Sequence, residues 1–271
     1  MNASRRDALK LLAAAMAATA AGCSAPPEEL VPYVDMPEGL VPGEPRYETW
    51  VFDLDNTLYP PSTKLFELID QRMTHFIAAR LGIDGLSARA LQKQYYRHYG
   101  TTLRGLMTVE GVDPHEFLDF VHDIPHDRLT ADPALAEAIA NLPGRRFVLT
   151  NGSRGHAERC ADTLGLHHLF EDFFDIAAAD FVPKPEPAAY ARFVARFAID
   201  PARAAIFEDL AGNLRAPHAL GMTTVLVRPH GDDVAERMAH VDDGIQGPHV
   251  DHVTDDLTGF LAGLIPPPAK G

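Results

Sequence analysis

Cysteine is scarce in this chain, which has only two among its 271 residues, Cys23 and Cys160. Neither belongs to a C-x-x-C pair, so the sequence predicts neither a disulfide framework nor an iron–sulfur cluster. None of the 13 histidines forms an H-E-x-x-H pair or a Cys/His cluster along the sequence, and we therefore expect no zinc site. Because Cys160 lies on a predicted helix without an evident cationic neighbour, it is interpreted as a small core residue rather than a nucleophile.

Basic residues are also few, with 24 Lys and Arg against 38 Asp and Glu, which gives a formal net charge of −14. This charge repels nucleic-acid backbones and anionic membranes at long range, so a nucleic acid polymer is not expected as a partner. A small phosphate ester remains compatible, because a metal, a lysine and backbone amides can meet its charge locally. The hydrophobic content of 46% is enough for one substantial core, or for a core with a smaller module.

No apolar stretch near the amino terminus is long enough to span a bilayer comfortably. Residues 1–23 contain the pair Arg5-Arg6, then an Ala/Leu-rich stretch that ends at Cys23. This segment resembles a twin-arginine export signal followed by a lipoprotein cleavage site, although Ala8 and Ala20 stand where such signals usually carry Phe and Leu. A lipid on Cys23 would then be the chain's only link to a membrane. The alternative is an Ala-rich helix without a targeting role.

Residues 24–47 are rich in Pro, Glu and Gly and are predicted to form a linker. The stretch 31–43 is similar to the leader region of membrane-complex molybdopterin/iron–sulfur oxidoreductases. That resemblance ends near Tyr47, and nothing downstream supplies ligands for such cofactors. Three interpretations of the leader stay open: a genuine export signal, a fusion to an unrelated catalytic domain, or an incorrectly assigned start.

Short apolar runs in the rest of the chain predict strands separated by helical patterns. This alternation indicates an α/β fold with a parallel sheet covered by helices on both faces. The predicted strands are Thr49–Leu54, Phe147–Thr150, Ala205–Glu208, Thr223–Val227 and Val250–Val253. The interval from Tyr59 to about Asn141 has no convincing strand, and its clearest amphipathic pattern is Leu65–Leu81. Because this interval is too long for a loop, it predicts a helical module inserted after the first strand.

Two carboxylates, Asp53 and Asp55, come directly after the apolar run of the first predicted strand. Ligands of open α/β sheets bind beyond the carboxyl ends of the strands, so both acids are placed where a substrate would lie. Such a pair can hold Mg²⁺ and attack phosphorus. A calcium loop of the D-x-D type would need Gly and Glu at its sixth and twelfth positions, where this chain has Leu58 and Lys64.

Polar residues also mark later strand ends and one proline-rich loop. Each has an ordinary interpretation by itself, as a turn or cap residue, a solvated lysine or an acidic loop start. In chain order these residues are Thr150, Asn151 and Gly152, then Lys184 between Pro183 and Pro185, then Glu208 and Asp209. Prolines on both sides of Lys184 restrict where its ammonium can point.

Taken in order, the motifs D-x-D-x-T, T-N-G, P-K-P and E-D-x-x-x-N resemble those of the haloacid dehalogenase (HAD) superfamily of phosphohydrolases. The resemblance covers roughly Tyr47 to Leu264. It implies a Rossmann-like parallel sheet, with the core over 48–58 and 142–264, an α-helical cap over 59–141 and a tail over 265–271.

The resemblance also implies a role for each motif residue. Asp53 would be the nucleophile that forms an aspartyl-phosphate, and Asp55 the acid and base that serves the leaving oxygen and the attacking water. Dehalogenases of this superfamily lack an acid at the position of Asp55, so Asp55 favours phosphate chemistry. Mg²⁺ would be held by Asp53, the backbone carbonyl of Asp55 and Asp209, with Glu208 acting through a water.

The remaining motif residues would meet the phosphoryl group. Thr150 would donate a hydrogen bond to it, and Lys184 would offset the charge of the nucleophile and intermediate. Backbone amides near Asn151 and Gly152 would complete the cradle. Asn213 falls where the family often carries a polar residue, and no definite role is assigned to it.

Longer stretches resemble the pyrimidine 5′-nucleotidase subgroup of this superfamily. They are residues 55–60, 95–107, 142–146 and 150–159. This resemblance implies a nucleoside 5′-monophosphate as the small-molecule substrate, with UMP, CMP or a modified analogue hydrolysed to nucleoside and phosphate.

Within these stretches, Thr101, Thr102 and Arg104 are predicted to contact the substrate. Their alternative role is structural, because Thr101 or Thr102 can cap a helix after Gly100 ends the previous one. For the three tyrosines of the cap, stacking on a base is weighed against packing within a cap helix, and packing is favoured; they are Tyr95, Tyr96 and Tyr99. Ser153, Arg154 and His156 follow the second motif and either reach the cleft or cap and decorate the helix that begins there.

Two other functions stay open. One is a HAD phosphatase for another small ester, such as a sugar phosphate or phosphoglycolate, because cap residues rather than core motifs determine specificity. The other is a non-catalytic, membrane-anchored subunit. The enzyme type favours the cytoplasm and a genuine signal favours export, while the oligomeric state is left open.

Overall fold

The computed structural model describes residues 47–228 and 247–264. The predicted signal, the linker up to residue 46, Cys23 and the predicted tail therefore lie outside the described residues. Among the described residues, no helix combines the length and apolar character needed to cross a membrane.

The described residues contain a six-stranded sheet in the order β3-β2-β1-β4-β5-β6, and all its neighbouring pairs are parallel. The strands are β1 Thr49–Phe52, β2 Arg145–Leu149, β3 Asp172–Phe174, β4 Ala204–Glu208, β5 Thr223–Val227 and β6 His252–Thr254. All four residues of β1 are buried between its two neighbours, as expected for a central parallel strand. The predicted α/β class with a parallel sheet is confirmed.

The α-helices of the described residues are α1 Leu65–Leu81, α2 Gly85–Tyr99, α3 Thr102–Glu110, α4 Pro114–Val121, α5 Pro133–Ala140, α6 Arg154–Leu164, α7 Pro187–Phe197, α8 Arg215–Leu220 and α9 Leu257–Gly263. Short 3-10 turns lie at Pro61–Thr63, His167–Leu169, Pro201–Arg203 and Ala211–Leu214. Helices α1 to α5 lie between β1 and β2 in the chain, where the sequence predicted a helical insertion.

Two apolar clusters support these layers. Val51, Phe147 and Ile206 of three adjacent strands pack with Tyr190 and Phe193 of α7, which joins the sheet to a covering helix. The insertion has its own cluster, which includes Ile69, Phe76 and Ile77 of α1, Leu106 of α3 and Phe117 of α4. Helices α1 to α4 thus pack on one another, and Ile176, which follows β3, joins their cluster to the core.

Local signals explain the helix ends of the insertion. Asp84 accepts hydrogen bonds from the amides of Leu86 and Ser87 at the start of α2, and Gly82 ends α1 in the left-handed region. Phe66 shares the helical period of α1, yet its side chain is 38% exposed and lines a cavity. Its apolar surface is therefore available to a ligand.

The register of the sheet brings three strand ends together. Phe52 of β1 lies opposite Val148 of β2 and Phe207 of β4. The amide of Asp53 then donates to the carbonyl of Phe207 at 2.9 Å. The residues that follow β1, β2 and β4 consequently leave the sheet at one edge, and the candidate site lies there.

Candidate functional site

Asp53 is held in place by two side chains at the end of β1. Its Oδ1 accepts a hydrogen bond from Lys184 Nζ at 2.6 Å, and its Oδ2 accepts one from Thr57 Oγ1 at 3.1 Å. The carboxyl is buried, so its orientation is fixed by these contacts and by the strand.

Lys184 is buried and joins three parts of the sheet edge. Its ammonium also donates to Glu208 Oε1 at 2.7 Å and to the carbonyl of Leu149 at 2.9 Å. Asn151 fixes the lysine backbone from both sides, because its side-chain amide donates to the Lys184 carbonyl and its Oδ1 accepts from the Lys184 amide. The predicted Asn151 thus positions the loop of Lys184.

Glu208 uses both of its carboxylate oxygens within the protein. Oε1 accepts from Lys184 and, at 2.7 Å, from Asn213 Nδ2. Oε2 accepts from the amide of Leu210 at 2.9 Å. Asn213, to which the sequence assigned no definite role, therefore orients Glu208.

The pKa values of Asp53 and Lys184 are set by burial and by the charges of their neighbours. Burial raises the pKa of Asp53 to about 7; Lys184 opposes the rise, and Glu208 and Asp55 add to it. Burial disfavours the charged form of Lys184, but Asp53 and Glu208 raise its pKa above the usual value. The lysine therefore stays an ammonium, while Asp53 needs further positive charge to be fully ionised at neutral pH.

Three carboxylates form a group with the dimensions of a metal site. Ligand oxygens of Asp53, Glu208 and Asp209 all lie within 4.8 Å of one another. Carboxylate oxygens are the donors that Mg²⁺ prefers, so the chemistry of this set fits that ion. The Asp55 side chain does not belong to this group.

Asp55 is instead held by an aromatic and an imidazole side chain. Its Oδ1 accepts hydrogen bonds from the hydroxyl of Tyr59 and from His156 Nε2, the latter at 3.0 Å. Burial alone would raise the pKa of Asp55, but the charge and hydrogen bond of His156, with the hydrogen bond of Tyr59, lower it to about 2. Asp55 is therefore a carboxylate in the resting protein.

Histidines surround this contact. His156, on α6, is fully buried, and its ring stacks on His122 with centroids 4.5 Å apart. His122 Nδ1 lies 2.9 Å from Ser153 Oγ. From the sequence, His156 was expected either to reach the cleft or to decorate the helix, whereas Tyr59 and His122 were missed. Tyr59 lies four residues after Asp55, which is a usable signal; His122 carries none.

The turn after β2 is closed by the predicted residues themselves. The amide of Gly152 donates to Thr150 Oγ1 at 2.9 Å. The hydroxyl of Thr150 keeps its own hydrogen for another acceptor, whereas the Gly152 amide is already used inside the turn. Both residues line the central cavity.

The central cavity, of about 600 Å³, lies between the sheet edge and the insertion. Asp53, Asp55, Lys184, Glu208 and Asp209 line it on the sheet side. On the insertion side the polar and aromatic lining includes Asp70, Gln92, Lys93, Tyr96, Thr101 and Thr102.

The insertion contributes a polar patch that the sequence did not reveal. Gln92 is buried and donates to Asp70 Oδ1 at 2.7 Å. Lys93 Nζ lies 3.3 Å from the same oxygen, and Arg89 contacts Asp70 as well. In the sequence, the only sign of this patch is that Gln92 and Lys93 follow Arg89 by three and four residues, which puts the three side chains on one face of α2.

The cap residues predicted to bind substrate are placed differently from one another. Thr101 caps α3 by accepting from the Arg104 amide at 3.1 Å, and Thr102 donates to the Gln92 carbonyl at 3.3 Å. Both still line the cavity. The structure does not bring Arg104 to the cavity lining, because its guanidinium pairs with Glu186 at 2.9 Å.

The three tyrosines of α2 also separate. Tyr95 is buried and donates to Glu110 at 2.5 Å, and its ring lies 6.0 Å from that of Tyr99. Of the three, Tyr96 lines the cavity. Tyr95 and Tyr99 therefore make the packing contacts favoured from the sequence.

Comparison with known proteins identifies the family to which this chain is similar. A family model described as haloacid dehalogenase-like hydrolase matches residues 47–221. Phosphate metabolism protein 8 of Saccharomyces cerevisiae is 30% identical over 209 residues, which are 71% of this chain and 65% of that protein. The match thus spans less than two thirds of the yeast protein. Enolase-phosphatase E1 of Frankia alni is 41% identical over 64 residues, 24% of this chain and 26% of that protein.

Solved structures agree on the fold. A HAD phosphatase from Thermococcus onnurineus has a TM-score of 0.51 and 16% identity, covering 76% of this chain and 92% of its own. The HAD-hydrolase YfnB from Bacillus subtilis has a TM-score of 0.50 and 14% identity, and the match covers 81% of this chain and 99% of YfnB. At such identities the likeness establishes the fold alone. On the match over residues 47–221, the chain belongs to the haloacid dehalogenase-like hydrolases.

Proposed function

We propose that this hydrolase is a phosphomonoesterase in which Asp53 attacks phosphorus. The observation that carries the proposal is the contact of Asp53 with the buried ammonium of Lys184, with the carboxylate of Asp55 two residues further on. Attack forms the bond from Asp53 to phosphorus and breaks the ester bond, and the leaving oxygen takes a proton. Water then releases phosphate from the aspartyl-phosphate.

Mg²⁺ is the proposed cofactor. Both oxygens of Glu208 already accept hydrogen bonds within the protein, so Asp53 and Asp209 would be direct ligands and Glu208 would act through a water. The backbone carbonyl of Asp55 completes the protein donors in this proposal. When bound, the ion supplies positive charge that offsets the repulsion between Asp53 and a phosphate dianion.

Asp55 is the proposed acid and base. Asp55 Oδ1 and His156 Nε2 are 3.0 Å apart, so the two side chains can share one proton. Dehalogenation needs no such proton, because a halide leaves without one. The acid beside the cavity is thus the feature that favours ester hydrolysis over carbon–halogen chemistry.

The remaining groups bind and orient the phosphoryl end. The Thr150 hydroxyl can donate to a phosphoryl oxygen, since its hydrogen is not used by the Gly152 amide. Lys184 offsets charge on Asp53 as the intermediate forms. Asn151 keeps the backbone of Lys184 in place.

The proposed substrate is a pyrimidine nucleoside 5′-monophosphate. A cavity of about 600 Å³ is of the size used for such small molecules. The exposed faces of Phe66 and Tyr96 offer surfaces for a base, and the hydroxyl groups of Thr101 and Thr102 belong to the same cavity lining. The polar patch around Asp70 would equally suit the hydroxyls of a sugar phosphate, which is the alternative substrate class.

A panel of phosphate esters tests this proposal. Turnover of UMP, CMP, purine nucleotides, sugar phosphates and phosphoglycolate is measured with Mg²⁺ present, and pyrimidine nucleotides are expected to have the highest kcat/KM. Equal turnover of UMP and simple sugar phosphates would contradict the nucleotidase assignment.

Asp53→Asn tests the chemistry, and a loss of at least about 10³-fold in kcat is expected. Asp123→Asn, at an exposed carboxylate paired with Arg72, is the matched control. Unchanged activity of the Asp53 variant would contradict the mechanism, and absence of turnover in the wild type would favour a non-catalytic subunit.

A further inference from the structure

His126, His156 and Cys160 form a cluster that is separate from the carboxylate group. Their ligand atoms all lie within 4.8 Å of one another. His156 and Cys160 are four residues apart on one face of α6 and are fully buried, while His126 comes from the segment after α4 and is half-buried. The cluster therefore has a buried floor and an approach from solvent.

Two distances within this cluster are close to those between the ligands of a tetrahedral ion. His126 Nε2 lies 3.4 Å from His156 Nδ1, and Cys160 Sγ lies 3.7 Å from the same Nδ1. With zinc bonds of about 2.0 to 2.1 Å to nitrogen and about 2.3 Å to sulfur, tetrahedral geometry separates two nitrogens by about 3.3 Å and nitrogen from sulfur by about 3.6 Å. The ligand atoms of His126 and Cys160 lie within 4.8 Å of each other, and Cys160 Sγ also lies 3.6 Å from His156 Nε2, so a side-chain adjustment of Cys160 brings the three atoms around one ion.

The second ring nitrogen of His156 already has a carboxylate partner. His156 Nε2 lies 3.0 Å from Oδ1 of the Asp55 carboxylate. Metal-ligating histidines characteristically donate their second nitrogen to a carboxylate or a backbone carbonyl. With its proton on Nε2, the neutral His156 ring directs the lone pair of Nδ1 toward His126 Nε2, 3.4 Å away, where a cation could be shared.

The donor types select the class of ion. Two imidazoles and a sulfur suit Zn²⁺ and similar transition metals, whereas Mg²⁺ prefers the oxygen donors of the carboxylate group. Burial raises the pKa of the Cys160 thiol, so the sulfur carries its proton until a metal displaces it.

We propose that His126, His156 and Cys160 bind one Zn²⁺-class ion, with a water in the fourth position. This site is distinct from the proposed Mg²⁺ site. One consequence rests on the proposed function: an ion on His156 Nδ1 would fix the ring that holds Asp55, and so would slow the proton transfers. Zinc binding is measured without turnover, so the zinc site and the proposed phosphomonoesterase function can be refuted separately.

The test is equilibrium dialysis of the full chain against Zn²⁺ in excess Mg²⁺, with bound zinc counted by elemental analysis. Cys160→Ser and His126→Ala are each expected to weaken binding of one equivalent at least about tenfold. His167→Ala is the matched control, because His167 is an exposed histidine bonded to Asp162. Zinc binding by this variant is expected to equal that of the wild type. Asp209→Asn is expected to bind the same one equivalent of zinc as the wild type.

A second readout identifies the ligands. Co²⁺ bound in place of Zn²⁺ is expected to show a thiolate-to-cobalt charge-transfer band in the wild type and in Asp209→Asn, and to lack it in Cys160→Ser. Circular dichroism establishes that each variant is folded. The proposal is overturned if the folded wild type shows no such band, or if zinc binding is lost in Asp209→Asn and kept in Cys160→Ser.

Discussion

Lys184 Nζ lies 2.6 Å from Asp53 Oδ1, although 131 residues separate the two along the chain. The same ammonium lies 2.7 Å from Glu208. One buried cation thus neutralises part of the charge of two buried carboxylates, and this balance determines both the stability of the sheet edge and the ionisation of Asp53.

Lys184→Met is expected to destabilise the fold by about 3–5 kcal/mol, because it leaves two buried carboxylates without their cation. Loss of the ammonium raises the folded-state pKa of Asp53 further above its unfolded value. A raised carboxyl pKa stabilises the fold at low pH and loses that contribution as pH rises, so the penalty should be larger at pH 8 than at pH 6. Chemical denaturation at both pH values measures it. Lys93→Met, which removes a half-exposed partner of Asp70, should cost less than about 1 kcal/mol, and equal losses would contradict the argument.

Asp55→Asn is expected to lower kcat for an alkyl phosphate about 10²- to 10⁴-fold, as removal of a general acid does. An aryl ester with a nitro-substituted phenol as leaving group needs less protonation, so its kcat should fall much less. Rates for the two esters are compared in the wild type and the variant. Equal losses for both esters would remove Asp55 from the acid role.

His122→Gln is expected to make stability less sensitive to acid. Burial is the main reason that the pKa of His122 is lowered to about 3; His156, Arg159 and His126 act in the same direction, and Asp55 opposes them. The unfolded chain binds a proton at His122 near pH 6.5, so the wild type loses stability as pH falls below that value. The loss from this group is about 2 kcal/mol at pH 5 relative to pH 7. Between pH 7 and pH 5 the unfolding free energy of the variant should therefore rise relative to that of the wild type by this amount. A difference that is the same at both pH values would refute this role of His122.

Gly144→Ala is expected to destabilise the fold by about 2–4 kcal/mol. Gly144 has a φ of +86°, and an added Cβ would collide with the backbone carbonyl oxygen of Glu48. That oxygen is fixed, because it accepts from the Arg145 amide at 2.8 Å where β2 begins. Gly111→Ala is the matched control, with a φ of +62° and open space around the new atom, and should cost about 1 kcal/mol. Similar melting temperatures for the two variants would exclude the collision.

Asp209→Asn is expected to raise the Mg²⁺ concentration needed for half-maximal activity at least about tenfold, since a direct carboxylate ligand is lost. Asp180→Asn, at an exposed carboxylate paired with Arg192, should leave that requirement unchanged. Activity is titrated with Mg²⁺ after chelator treatment. An unaltered requirement in the Asp209 variant would exclude it as a ligand.

The parallel sheet could be predicted because its buried strands are continuous apolar runs, and α1 begins and ends at the predicted residues Leu65 and Leu81. Strand β3 was missed because it has three residues, Asp172–Phe174, and pairs along one edge only. A run that short carries no periodic signal. The predicted β6 began at Val250, two residues before the observed strand at His252.

The site was predictable where its residues directly follow strands, and less so elsewhere. Polar residues after β1, β2 and β4 must meet when the strands are parallel neighbours. By contrast, His126 and His156 are 30 residues apart in the chain, so no spacing could indicate their contact or a cluster with Cys160. Arg104 illustrates a different limit, because its partner Glu186 lies 82 residues away and is set by how the insertion rests on the core.

The carboxylates gathered around Lys184 also impose an order on the arrival of ligands. Four acids, Asp53, Asp55, Glu208 and Asp209, line the sheet side of the cavity, where the Lys184 ammonium lies. A doubly charged anion that enters first meets a repulsive field, whereas a divalent cation is attracted and reverses the local sign. Metal should therefore precede ester in each productive encounter, and at low metal concentration the rate of association, more than the chemistry, should become the slow event.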